Sequence, residues 1–143
     1  MYVKQISIFV ENRKGRLEDV CTCLDENGIN IKSIILADTN EYGLIRMIVS
    51  DVDKAKSVLK EAGFSTIITN VVAIKFPHTK GMLKKLLEIF AEEELNIEYM
   101  YGLSTTTEEA IIVFKTSDNE KAVRLIENKG GEYGITTIEE SNI

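Results

Sequence analysis

Asn12-Arg13-Lys14-Gly15-Arg16-Leu17 returns 66 residues later (81 − 15, from the paired glycines) as His78-Thr79-Lys80-Gly81-Met82-Leu83. The same displacement sets Val20 on Leu86, Leu24 on Phe90, and Ile29-Asn30-Ile31 on Leu95-Asn96-Ile97. One residue is then added, and a displacement of 67 (120 − 53) sets Asp53-Lys54-Ala55 on Glu120-Lys121-Ala122, Val58-Leu59 on Leu125-Ile126 and Gly63 on Gly130. The 143-residue chain thus holds one unit twice, with expected domains at residues 1–70 and 71–143. Two copies are too few for a solenoid, whose units need several neighbours to close a continuous core, so each copy is expected to be a small domain.

Within the first copy, Ile6, Ile8 and Val10 alternate with Gln5 and Ser7, the period of a strand over Gln5 to Val10. Leu17, Val20, Cys21 and Leu24 recur at the spacing of one apolar helical stripe, predicting a helix over Arg16 to Glu26 that Asn27-Gly28 stops. Strands follow over Ile29 to Ala37 and Leu44 to Val49, with a turn at Asp38 to Gly43. Asp51 is read as the N-cap of a helix presenting Ala55, Val58, Leu59 and Ala62, closed by Gly63. The β-branched run Thr66 to Phe76 then serves twice, ending the first copy around Ile67 and Ile68 and opening the second at Val71. Copy two repeats the plan with a helix Met82 to Glu92, strands Asn96 to Leu103 and Ala110 to Lys115, and a helix Asn119 to Asn128 capped by Asp118. Lys129-Gly130-Gly131 ends that helix, Ile135 to Ile138 is the final strand, and the tail from Glu139 is expected to fray. Each copy is therefore β-α-β-β-α-β, the ferredoxin-like unit of an α+β protein: antiparallel sheets with helices on one face. With no Pro/Gly/Ser linker between them, the copies are expected to pack together as one body.

Composition narrows the function. Forty-four per cent hydrophobic residues supply a core that a disordered chain lacks. Seventeen Lys and Arg stand against 23 Asp and Glu, and no basic run exceeds two residues. Nucleic acid, which needs a basic footprint, is an unexpected partner. No apolar stretch reaches the length that crosses a bilayer, and the start of the chain lacks a signal peptide's apolar core, so no membrane partner and a cytoplasmic location are expected. Cys21 and Cys23 lack redox-pair spacing, and His78 is the one histidine, so neither zinc nor any other cofactor is expected. The cysteines read as small hydrophobes of a helix.

A ferredoxin-like unit hosts enzymes, metal carriers, RNA binders and ligand sensors, so function rests on the site. The glycine-rich loop of acylphosphatase-type enzymes is absent, as is the Cys-x-x-Cys of a copper carrier. Phe9 is the one aromatic on the first and third strands of copy one, too few for RNA recognition. No nucleophile has a base beside it, and the chain is read as non-enzymatic. What the duplication preserves is the turn into the first helix, Asn12-x-x-Gly15-x-Leu17 and His78-x-x-Gly81-x-Leu83. A helix N-terminus there offers unsatisfied N–H groups to a carboxylate, and Asn12 or His78 a hydrogen bond to an amine, which together describe an amino acid. The alternative is that the glycines let the loop turn and that Asn12 and His78 cap the helices. Arg46 reads as a solvated sheet residue or a carboxylate partner, and Tyr99 and Tyr101 as one face of a strand lining a pocket, an interface or the core.

These residues resemble the ACT domain, a small regulatory module of enzymes of amino-acid metabolism. The resemblance rests on Ile8-Phe9-Val10-Glu11-Asn12-Arg13-Lys14-Gly15-Arg16-Leu17 with Asn27-Gly28-Ile29-Asn30-Ile31, and on Pro77 to Leu83 with Leu95-Asn96-Ile97 and Glu98 to Tyr101. It covers both copies and is similar to the stand-alone tandem ACT proteins described as amino-acid-binding. It implies a ligand held at an interface between ACT units by the first loop of one and the second strand of another. Residue by residue this points to Asn12, Gly15, Arg16 and Leu17 with Asn30 and Ile31, and to His78, Gly81, Met82 and Leu83 with Asn96 and Ile97. Copy two departs from the pattern at His78, implying one competent and one degenerate site. The expected protein is an allosteric regulator, homodimeric, its output passed to an enzyme of amino-acid metabolism. The second expectation is an interaction module or regulatory subunit without a ligand of its own.

Overall fold

The computed structural model describes residues 2–38 and 42–143; the tip of the turn expected at 38–43 lies outside them. Strand β1 (Val3–Glu11), helix α1 (Arg16–Glu26), strands β2 (Ile31–Asp38) and β3 (Tyr42–Val49), helix α2 (Val52–Glu61) and strand β4 (Ser65–Pro77) come first. Helix α3 (Met82–Glu92), strands β5 (Ile97–Thr105) and β6 (Glu109–Thr116), helix α4 (Asn119–Leu125) and the short strand β7 (Thr136–Thr137) complete the chain. Two compact units result, Lys4–Thr69 and Asn70–Ile143, the second also taking in Tyr2 and Val3. The division falls inside β4.

In the Lys4–Thr69 unit the strand order is β2-β3-β1-β4, with β1 and β2 both antiparallel to β3. Ile6, Ile8, Val10, Ile45, Met47 and Val49 bring one sheet face against Val20 and Leu24 of α1 and Val52, Ala55 and Leu59 of α2. Both helices therefore lie on one face, as period-2 strands and amphipathic helices require. Cys21 and Cys23 pack against this core as the small apolar residues expected of them. The opposite face is covered as well: Gln5 and Ser7, which alternate with the core residues of β1, are buried, and Gln5 Nε2 donates to Ser7 Oγ at 3.3 Å. A buried amide needs such a partner.

The second unit has the order β7-β4-β6-β5, all pairs antiparallel. Its core joins Val72, Ile74 and Phe114 to Leu86, Ile89 and Phe90 of α3 and Ala122, Val123 and Leu125 of α4, with Phe90 and Phe114 edge-to-face at 5.6 Å. Asp51 and Asp118 both cap as predicted, accepting from the N–H groups of Lys54 and Lys121 at 3.1 Å. The two units part at their second helices. Gly63 ends α2 in the left-handed conformation (φ +90°), but Gly130, its counterpart, is right-handed (φ −73°) inside a π-turn, Ile126–Gly130, that prolongs α4. A 3-10 turn Gly131–Tyr133 follows, and Gly134 (φ +73°) takes over the left-handed stop. The expected strand Ile135 to Ile138 shortens to Thr136–Thr137, and the tail expected to fray forms a 3-10 turn, Glu140–Asn142.

Candidate functional site

Strand β1 delivers the chain into a tight loop, where the Arg13 N–H donates to the Glu11 carbonyl at 2.8 Å and α1 opens at Gly15. Gly15 sits at φ +89° and Gly81 at φ +87°, the left-handed region that side chains disfavour. A Cβ built at either would meet nothing within 4 Å, so the backbone angle, and not crowding, requires glycine. The Gly15 and Gly81 carbonyls accept the first helical bonds, from Asp19 at 2.9 Å and Lys85 at 3.1 Å. Neither helix has a side-chain cap, so Asn12 and His78 are not capping residues. The leading N–H groups of α1, at Leu17 and Glu18, have no carbonyl within the helix to receive them. His78 instead holds its own loop in place. Its Nδ1 donates to the Thr106 carbonyl at 2.9 Å, anchoring the loop to the β5–β6 turn and leaving Nε2 as the acceptor of the neutral ring.

Beside the first loop lies a cavity of about 310 Å³ lined by Val10, Glu11, Asn12, Arg13, Arg16, Leu17, Leu36 and Gly43. Its charges are mixed. Arg13 Nε meets the Glu11 carboxylate at 3.0 Å, an exposed pair, and Arg16 Nη1 meets Asp19 Oδ2 at 3.1 Å. Arg16 also lies over the Phe64 ring at 4.4 Å, and its Nε is buried with no hydrogen-bond partner among the described residues. The Arg13–Glu11 pair, exposed on both sides, contributes little to stability. Arg16 walls a second depression too, of about 380 Å³, with Cys23, Glu26, Ala62 and Phe64. Among the described residues no group of three or more His, Cys, Asp or Glu side chains could hold a metal, and no helix is long and apolar enough to cross a membrane.

The structure brings Asn12, Arg16 and Leu17 into one cavity wall, with Gly15 in the same loop. Asn30 and Ile31 lie elsewhere. Asn30 exchanges hydrogen bonds with Ser50 at 2.9 Å and Ile31 pairs with Val49, five residues of strand, about 17 Å, from the cavity's Leu36. Asn96 does the same with Ser117 and Ile97 pairs with Thr116, so both Asn-Ile pairs join the start of one strand to the end of its neighbour. Met82 packs on the second core, and Leu83 is exposed. Tyr101 is buried and Tyr99 lies opposite Lys115, while Arg46 is half-buried between Ser7 and Ile35 in the register. Sequence reasoning missed Glu11 and Arg13, which flank Asn12, and Val10, Leu36 and Gly43. The last two reach the cavity only through strand pairing; the one local signal is an apolar residue, Leu36, next to the turn.

The family whose sequence pattern is an ACT domain pair matches residues 1–142. Among solved structures, protein BT0572 from Bacteroides thetaiotaomicron is similar at a TM-score of 0.88 and 35% identity, over 98% of this chain and 95% of that one. The ligand-free regulatory subunit of aspartate kinase from Thermus thermophilus shares the fold at a TM-score of 0.63 and 18% identity, over 87% of this chain and 90% of that one. The regulatory subunit of aspartate kinase from Thermus flavus does so at 0.61 and 18%, with the same coverage. No curated protein matches the chain. Two successive βαββαβ units, each entering its first helix through a left-handed glycine, together with a match that spans 142 residues, show that the chain belongs to the ACT domain pair family.

Proposed function

We propose that the protein is a non-catalytic regulator that binds an amino acid in the cavity between the β1–α1 loop and the end of β2. One observation carries the reading: a single cavity joins the uncapped start of α1, charges of both signs and an apolar wall. The helix N-terminus and Arg16 suit an α-carboxylate, the Asn12 carbonyl and Glu11 an ammonium, and Leu17 and Leu36 a side chain. Ligand binding would act by differential affinity for two packings of paired chains. A homodimer is supported by β2, which ends its sheet order with Ile34 and Leu36 exposed at 43% and 53%. Two unpaired cysteines suit a reducing cytoplasm. The output passes to a partner enzyme of amino-acid metabolism, a reading supported by the fold shared with regulatory subunits of aspartate kinase.

Thermal unfolding against the amino acids tests this. An amino acid at 100 times its Kd is expected to stabilise by about 2.7 kcal/mol, several degrees of Tm. Gly43 is outside the left-handed region, and a Cβ there would stand 3.0 Å from Val10 Cγ2 and 3.6 Å from Leu36 Cδ1, inside the cavity. Gly43→Ala is therefore expected to reduce the shift while the chain stays folded. No shift with any amino acid at millimolar concentration would favour the second reading, an interaction module that docks on an enzyme through the exposed apolar residues of β2.

A further inference from the structure

Resting on that amino-acid reading, we infer that the cavity selects an aliphatic amino acid and that Leu36 sets the preference. The polar side chains that line the cavity are consecutive or nearly so in the loop, Glu11, Asn12, Arg13 and Arg16, whereas Val10, Leu17, Leu36 and Gly43 line it without a polar side chain. The charged ends of an amino acid use up the loop. What remains for its side chain is a surface without a hydrogen-bonding side chain, where a carboxylate, ammonium or hydroxyl would lose water and gain no partner.

The wall also has apolar surface left to cover. Leu36 stands opposite Ile45, which stands opposite Ile8, and both isoleucines are fully buried under the helices. Leu36 itself, on the last strand of the order, is 53% exposed, and Leu17, which lines the same cavity, is 38% exposed. A side chain of a few methylenes laid between the two leucines removes water from both. Size agrees: about 310 Å³ is the low end for small-molecule pockets, enough for an amino acid and little more. Gly43 keeps the slot between Val10 and Leu36 open, since a single added Cβ would fill it. The second unit lacks the wall. There Gly102 stands opposite Ile112, the place that Leu36 holds opposite Ile45.

Calorimetric titration of the full chain with leucine, valine, alanine, serine, aspartate, lysine and phenylalanine tests the inference. Leucine or valine is expected to bind tightest, with about tenfold or more lost on shortening to alanine and aspartate and lysine weaker still. Leu36→Ala, a truncation of a half-exposed side chain that circular dichroism should show folded, is expected to weaken leucine about tenfold and leave alanine nearly unchanged. A leucine-to-alanine ratio unaltered in Leu36→Ala overturns the assignment of Leu36. Serine, aspartate, lysine or phenylalanine binding tighter than the aliphatic residues overturns this inference and leaves the amino-acid reading standing. Binding of none of the seven, with no thermal shift from any amino acid, overturns both.

Discussion

Cys23 shows how one side chain can be apolar in packing and still carry a chemical signature. Burial pushes its thiol up from the ordinary range, and Glu26 and Glu61 push the same way, while Sγ donates to the Val58 carbonyl at 3.6 Å. The thiolate is the nucleophile, so Cys23 is expected to alkylate with iodoacetamide more slowly than free cysteine near pH 8; equal rates by peptide mass spectrometry would contradict this. The sign for stability follows. A group raised in the folded state contributes fully below the unfolded thiol's range, and the contribution is lost as pH rises through it. The urea midpoint of the native chain should fall more steeply than that of Cys23→Ala between about pH 7 and 10. Arg16 is the contrasting case. Its helix position was legible in the sequence, but its stacking on Phe64, 48 positions away (64 − 16), depends on where α2 ends and β4 begins.

At the scale of elements, neighbouring glycines separate two roles that composition alone merges. A Cβ at Gly130 would stand 2.8 Å from the Ile135 carbonyl oxygen and 3.2 Å from Ile126 Cγ2, so Gly130→Ala is expected to destabilise by about 1–3 kcal/mol. Gly131 is right-handed with nothing within 4 Å, and Gly131→Ala is expected to stabilise by about 0.4–1 kcal/mol through the unfolded chain. Paired urea titrations check both; equal effects would refute the geometry. The repeat explains why the expected helix end at Lys129-Gly130-Gly131 differs from the structure. The 67-residue register (130 − 63) is kept through the helix face, Val58-Leu59 to Leu125-Ile126, and then Gly134 ends the turn. In contrast, the bounds of α1 and α3 agree with the apolar stripes and the glycine before each, because left-handed backbone has few other occupants. Gln5 and Ser7 were illegible for the opposite reason: alternation identifies two faces but not whether the second is covered.

For the whole molecule, duplication means one fold presented with two unlike loops. Asn12, Arg16 and Leu36 in the first unit correspond to His78, Met82 and Gly102 in the second. One ligand per chain is therefore expected in calorimetry, from a particle of twice 16.1 kDa in sedimentation velocity; two equivalent sites per chain would contradict the asymmetry. The duplicated turn, read from the sequence, locates the loop, yet the cavity's far wall is assembled by strand register, which no local pattern encodes. The anchor of His78 adds a last difference between the units. A carbonyl can only accept, so Nδ1 carries the proton of the bond to Thr106, and the second loop takes its support from its own side chain. The neutral ring is left with Nε2 as an acceptor and no second donor. Asn12, at the matching place in the first loop, carries a donor and an acceptor on one amide, so the two loops of one chain differ in the hydrogen bonds they can present as well as in their walls.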